Sequence, residues 1–160
     1  MRNITKISTQ LGKSALGWKT KKSSLGVTKN WILGSLAARL PGDTKIWFYK
    51  KMGIKIGKHV QIMPDVRMEI FFPELIKIGD NVVVGQEAFF ACHEFNVNEF
   101  RYGPIDVGNN VLIGARTFIL PGVKIGNNAI IAANTTVYQD VPNNVIAFGS
   151  PLKFKKFKKK

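Results

Sequence analysis

Cysteine is almost missing from this chain: Cys92 stands alone among 160 residues. That excludes an internal disulfide and fits a reducing compartment. Histidine is nearly as scarce, with only His59 and His93. A zinc centre built on three converging imidazoles cannot be assembled from two, and one cysteine does not complete the set, so no metal site is expected. No stretch reaches the roughly 18–20 consecutive apolar residues of a membrane-spanning helix. The N-terminus also lacks an apolar core followed by a cleavage site. Acidic residues are missing from residues 1–42, which hold eight Lys or Arg, and residues 153–160 add six Lys. Between them, residues 43–152 balance ten bases against ten acids. The formal charge of +14 therefore sits entirely in the two ends.

That placement argues against a nucleic-acid partner, because no basic stripe runs along the neutral body. The ends, with aromatics among the lysines, suit either free solvent or the anionic inner face of a membrane. In residues 1–22, Ile4, Ile7, Leu11, Ala15 and Trp18 follow helical spacing, with Arg2, Lys6 and Lys13 beside them, so this part is expected to be flexible or an amphipathic helix. A second helix with the apolar face Trp31, Ile32, Leu33, Leu36 and Leu40 should end at Pro41-Gly42. A third should run from the cap Asp43 to Gly53. Residues 23–53 are thus expected to form a helical cap, and residues 153–160 a Lys-rich tail.

What the chain has in abundance is a beat of six. Val107, Ile113, Ile119, Ile125, Ile131 and Val137 recur at that period, which fits neither the 3.6 of a helix nor the two of an open-sheet strand. Four residues after each comes a small or β-branched residue: Val111, Thr117, Val123, Ala129, Thr135 and Val141. Ile56, Ile62 and Met68 keep the same step earlier, as do Ile78, Val84 and Phe90. Each hexad supplies a large inward side chain, a corner and a smaller inward one. Three hexads close a triangular turn, and stacked turns make a parallel β-helix of about four turns over residues 54–152. The corners carry Gly-Asp-Asn and Gly-Asn-Asn, residue types that tolerate positive φ. The beat fails in two places. About four residues are inserted around Phe72-Pro73-Glu74, and the register slips after Phe90, so a loop must leave the coil over residues 94–104.

His93 stands at that slip. A neutral imidazole is the side chain best suited to accept a proton near neutral pH. Cys92 and Glu94 flank it, but neighbours on extended backbone point to opposite sides and are poor partners for it. His59 follows a corner Gly-Lys and reads as a solvated residue.

Several segments carry a family resemblance. They are Ile78-Gly79-Asp80-Asn81-Val82, Cys92-His93-Glu94-Phe95, Val107 through Ala115, Ile119 through Gly126, and Asp140-Val141-Pro142 with Gly149-Ser150-Pro151. Over roughly residues 44–153 the chain resembles the bacterial hexapeptide-repeat acyltransferases, the group of the maltose, galactoside and serine O-acetyltransferases. The spacing of Phe71-Phe72-Pro73, His93-Glu94-Phe95 and Glu99-Phe100-Arg101 looks like an acetyltransferase subgroup apart from the sugar enzymes themselves. The resemblance implies a mainly β fold, a left-handed parallel β-helix, and a homotrimer whose loop 94–104 reaches toward the next subunit. It implies acetyl-CoA as acyl donor and His93 as general base, acting by direct transfer without metal. Leu112, Gly114, Ala115 and Ala133 match the pantetheine channel, while Tyr138, Gln139 and Lys153 lie where the family grips the nucleotide end. Lys153 suits phosphate as a point charge. For the acceptor side the candidates are Glu69, Asp65, Glu94 and Arg101.

The expectation is a cytoplasmic O-acetyltransferase acting on a hydroxyl of a sugar-like or other small acceptor, with peripheral membrane association through the basic ends. The sequence departs from the family at Ala132-Ala133-Asn134-Thr135, at Tyr138-Gln139 and at Gly149-Ser150-Pro151-Leu152. The alternative is a catalytically inactive β-helix serving as a membrane-docking or assembly module.

Overall fold

The six-residue beat is the distance from one sheet to the next. A computed structural model describes residues 2–10 and 12–157, and in it the short strands of the coil fall into three parallel sheets, with a fourth, antiparallel sheet beside them. The first contains β2 (Lys55–Ile56), β4 (Ile76–Ile78), β9 (Ile105–Val107) and β12 (Lys124–Ile125). The second contains β3 (Gln61–Ile62), β5 (Val83–Val84), β10 (Leu112–Ile113), β13 (Ile130–Ile131) and β15 (Val145–Phe148), with β16 (Lys153–Lys156) on its edge. The third contains β6 (Phe89–Phe90), β11 (Phe118–Ile119) and β14 (Thr136–Val137). The chain visits these sheets in rotation, and each strand pairs in register with the one a turn earlier, Ile113 with Val84 and Ile131 with Ile113.

Because register is kept, like side chains stack on like inside the coil. Ile78, Val107 and Ile125 form one buried column, Val84, Ile113 and Ile131 a second, and Phe90, Ile119 and Val137 a third. The smaller inward set is buried as well, including Thr117 and Thr135. The Thr117 hydroxyl donates to the Gly114 carbonyl at 2.7 Å, so this polar group lies in the core with a partner.

The corners stack in the same way. Asp80 Oδ1 accepts from Lys58 N, Asn109 Oδ1 from Asp80 N, Asn127 Oδ1 from Asn109 N and Asn143 Oδ1 from Asn127 N, each at 2.7–2.8 Å. The next residues form a second ladder through Asn81, Asn110, Asn128 and Asn144, all at φ of 55–59°. Asparagine visits this left-handed region at low cost and its amide repeats along the stack. Exposed His59, at φ 53°, occupies the same rung in the first turn.

Helices α1 (Ser24–Arg39) and α2 (Thr44–Met52) close the first turn. The Ser23 hydroxyl caps α1 by accepting from Gly26 N, and α2 ends on Gly53 at φ 104°. Asp65 N donates to Ala38 O, and the buried Tyr49 hydroxyl donates to Val66 O at 2.8 Å. α2 also buries Lys45, which is 1% exposed. Burial pulls its ammonium below the ordinary lysine range, and the nearby charge of Asp65 opposes that shift.

Three segments differ from their expected form. Residues 94–104 are a β-hairpin rather than an open loop: β7 (His93–Phe95) pairs antiparallel with β8 (Glu99–Tyr102), so His93 itself begins the excursion. The N-terminal segment is not an amphipathic helix. Thr5–Ser8 form β1, which pairs antiparallel with β8, and Ser14–Thr20 form a 3-10 helix. The open edge of β8 offers backbone partners that outweigh a weak helical period. Leu11, on which that period partly rested, lies outside the described residues. At the other end, Lys153–Lys156 add an antiparallel edge strand to β15, and Lys158–Lys160 lie outside the described residues.

Candidate functional site

The two breaks in the beat meet in space. The first insertion begins at Glu69, the one charge in the apolar run from Met68 to Pro73, and its carboxylate is 1% exposed. Glu69 Oε2 lies 2.6 Å from His93 Nδ1 and also accepts from Cys92 N at 2.7 Å, while Oε1 accepts from Phe71 N at 2.7 Å. A carboxylate holding two backbone amides cannot swing away from the ring, so it fixes Nδ1 as the protonated nitrogen. Nε2 is then the lone-pair nitrogen. Phe71 packs edge-on against the imidazole with centroids 4.8 Å apart, and Phe95 does so at 4.9 Å. The His93 side chain keeps 17% exposure. Cys92, by contrast, is fully buried, and its thiol is pushed far up, first by burial and then by the Glu69 charge. It is not a nucleophile.

His93 opens on a cleft of about 740 Å³. One wall is α1, through Trp31, Gly34, Ser35, Ala38 and Arg39; the other is the Asp65–Phe71 segment. Glu87 and Phe89 form the floor toward the next turn. Asn30 Nδ2 donates to Ile70 O at 2.9 Å and ties the helical wall to the segment that carries Glu69.

The structure sorts the expected site residues into three groups. His93, Glu69 and Asp65 share the cleft, Asp65 as an exposed corner residue at φ 58°. Glu69, expected on the acceptor side, is instead buried behind the imidazole, because both its oxygens are taken up inside the fold. Glu94 and Arg101 lie outside the cleft lining. They face the N-terminal segment: Glu94 pairs with Arg2 at 2.7 Å and with Arg101 at 4.0 Å, and Arg101 also pairs with Glu99.

Gly114, Ala115 and Ala133 stand on the corner between the second and third sheets, in line with Glu87 of the cleft. Arg116 N donates to Gln86 O and Asn134 N to Ala115 O, so successive turns stack there. A side chain at Gly114 would collide with the Ala133 amide nitrogen, so this column keeps small residues for close approach. Leu112 is exposed on the outer face of the second sheet. Tyr138, Gln139 and Lys153 are exposed near the last turn, where the Tyr138 hydroxyl accepts from Leu152 N at 3.2 Å.

The lining from α1 and the Arg67, Glu87 and Phe89 positions had no signal in sequence spacing. Glu69 had one, as a lone acid inside an apolar run.

Short strands at a period of six, stacked in register into three parallel sheets, define a class of repeat-built β protein. The chain belongs to the bacterial hexapeptide-repeat transferases. The family model described as "Bacterial transferase hexapeptide (six repeats)" matches residues 104–139. "Putative acetyltransferase YvoF" of Bacillus subtilis is 38% identical over 131 residues, covering 81% of this chain and 76% of that protein. The galactoside O-acetyltransferase of Escherichia coli is 34% identical over 116 residues, covering 68% of this chain and 56% of that protein. Among solved structures, a hexapeptide-repeat acetyltransferase of Vibrio cholerae complexed with acetyl-CoA superposes with a TM-score of 0.72 at 23% identity, over 85% of this chain and 89% of that one. A galactoside acetyltransferase in complex with coenzyme A superposes with a TM-score of 0.64 at 23% identity, over 89% and 90%. Among the described residues, no helix is long and apolar enough to cross a membrane.

Proposed function

We propose that this chain is a cytoplasmic acetyl-CoA-dependent O-acetyltransferase, a homotrimer of left-handed coils of about four turns. It passes the acetyl group directly to a hydroxyl of a small, sugar-like acceptor. The observation that carries this reading is the Glu69–His93 pair at the cleft, 2.6 Å apart. Acetyl-CoA supplies an acyl group activated as a thioester. With Nδ1–H committed to Glu69, Nε2 takes the proton of the acceptor hydroxyl as its oxygen bonds to the acyl carbon, and returns that proton to the departing sulfur. The cleft's mixture of Trp31, Arg39, Asp65 and Glu87 suits an acceptor with both an apolar face and several hydroxyls.

The corner column of Gly114, Ala115 and Ala133 supports the donor side of the proposal, since small residues there leave backbone amides open to an extended pantetheine arm. The outer faces of the coil support the trimer. The first sheet turns Lys55, Lys77, Asp106 and Lys124 outward, whereas the second turns out Val83, Leu112 and Ile130 beside Gln61, and the third Phe89 and Phe118 between Arg67 and Thr136. Two different faces with apolar centres and one charged face suit a three-fold ring, because each copy offers one patch to each neighbour. The test is thioester cleavage with a panel of sugars and other hydroxyl compounds, with calorimetry of acetyl-CoA binding beside it. Binding with acceptor-dependent cleavage is expected. No binding at millimolar acetyl-CoA would leave an assembly module instead.

A further inference from the structure

Helix α1 presents three faces, and only two of them are used. Ala37 and Asn30 are buried against the coil. Trp31, Gly34, Ala38 and Arg39 line the cleft. The remaining face carries Leu25, Ile32 and Leu36, spaced seven and four residues apart and so stacked along one side of the helix. These are among the most exposed large apolar side chains of the molecule: Leu25 is 81% exposed, Ile32 47% and Leu36 48%. On α2, Trp47 is 55% exposed, with the Lys51 ammonium 5.4 Å from its ring centroid. An apolar face of this kind marks a partner rather than a solvated surface.

Charge indicates which partner. Lys29 lies within the Leu25–Leu36 stripe, and the other exposed charges on the two helices are Arg39 on α1 and Lys50 and Lys51 on α2. No acid occurs before Asp43. An apolar stripe on a pair of helices that carry bases and no acid matches the interfacial zone of an anionic bilayer, where leucine and tryptophan enter the headgroup boundary and lysines meet lipid phosphates.

We propose that the outward face of α1, with Trp47 of α2, docks the protein on an anionic membrane, and that the cleft takes its acceptor hydroxyl from a lipid-linked molecule held at that surface. This rests on the acetyltransferase reading and names its acceptor class. The link between the two is α1 itself, since Trp31 and Arg39 on the cleft face adjoin the outward stripe around the same helix. Within the basic N-terminal end, the proposed docking element is α1 rather than residues 2–10. Residues 2–10 are bound to the hairpin through β1 and Arg2–Glu94, and β16 adjoins the last turn, at the opposite end of the coil from α1.

The experiment is co-sedimentation of the full-length protein with vesicles of 30% phosphatidylglycerol in phosphatidylcholine, against pure phosphatidylcholine vesicles. Binding to the anionic vesicles alone, weakening as salt rises, is expected. A Leu25→Ser/Ile32→Ser/Leu36→Ser variant should bind at least tenfold more weakly while its acetyl-CoA affinity stays unchanged. Leu25→Ser alone, at the most exposed position, should lose several-fold and guards against misfolding of the triple variant. Undiminished vesicle binding by both variants would overturn the assignment of α1. So would a smaller oligomer by light scattering, which would make this face an interface between copies. Acetyl-CoA binding is read separately, so loss of the docking idea and loss of the acetyltransferase reading are distinguishable.

Discussion

Glu69 and His93 lie 24 residues apart in the chain and meet at 2.6 Å, carboxylate Oε2 to imidazole Nδ1. Each comes from a place where the hexad register breaks. The same carboxylate holds the amides of Phe71 and Cys92, one on each side of the junction, so a single buried group joins the two irregular segments. The imidazole is oriented by the fold, before any ligand arrives.

His93→Ala should lower kcat by roughly 10²–10⁴-fold, the usual cost of removing a general base. The dissociation constant for acetyl-CoA, measured by calorimetry, should change little. Wild-type turnover in the variant would sink the assignment of His93 as the base.

Glu69 separates orientation from stability. Glu69→Gln keeps the shape, but its amide NH₂ must oppose either Phe71 N or, turned the other way, Cys92 N while donating to the ring. In the first orientation the ring keeps Nδ1–H against a neutral carbonyl, and in the second it moves its proton to Nε2; either way kcat should fall roughly 10–100-fold, as when supporting partners of a histidine are lost. Ring nitrogen-15 shifts of His93 distinguish the two. Glu69→Ala leaves two buried amides unpaired at about 1–3 kcal/mol each, visible as a lower urea midpoint.

Gly114→Ala places a methyl group against the backbone of Ala133, which has no room to move between stacked turns. We expect a loss of about 1–3 kcal/mol by urea unfolding, the range for overpacking a tight site. The same substitution at exposed Gly42, where φ is 58° and no atom lies near, costs only backbone strain of about 1–2 kcal/mol.

Lys45→Met should be neutral or stabilising by up to about 2 kcal/mol, since a fully buried cation is replaced by an apolar chain of similar length. The sign of the pH dependence follows from the lowered folded-state pKa. Between that value and the unfolded value of about 10.4, the unfolded chain binds more protons, so wild-type stability rises with pH there. Thermal melts from neutral to alkaline pH should show this rise in the wild type and its loss in Lys45→Met.

The coil was legible because each inward residue repeats its neighbour's environment one turn away. Ile113 meets Val84 and Ile131, and the same apolar residue type is required at each step. Corner residues were legible for a local reason, the positive φ that Asn110 and Asn128 adopt. α1 and α2 were legible from their apolar spacing and from the breakers Pro41-Gly42 and Gly53, while the Ser23 cap of α1 went unread and Asp43 stands at the N-cap position of α2 without a side-chain hydrogen bond. The N-terminal segment was misread because its spacing at Ile4, Ile7 and Ala15 is a local helix signal, while its conformation follows from pairing with Tyr102 to Glu99, nearly a hundred residues away.

By itself the sequence determined the repeat, the turn size, the positions of its two interruptions and the presence of a single histidine at one of them. These are all properties of neighbours along the chain or of a fixed period. Only the tertiary structure decided that the two interruptions touch, that Glu69 faces His93, and that α1 forms one wall of the cleft. Insertions carry no period, and the partner of a buried carboxylate is set by which segments the stacked turns bring side by side.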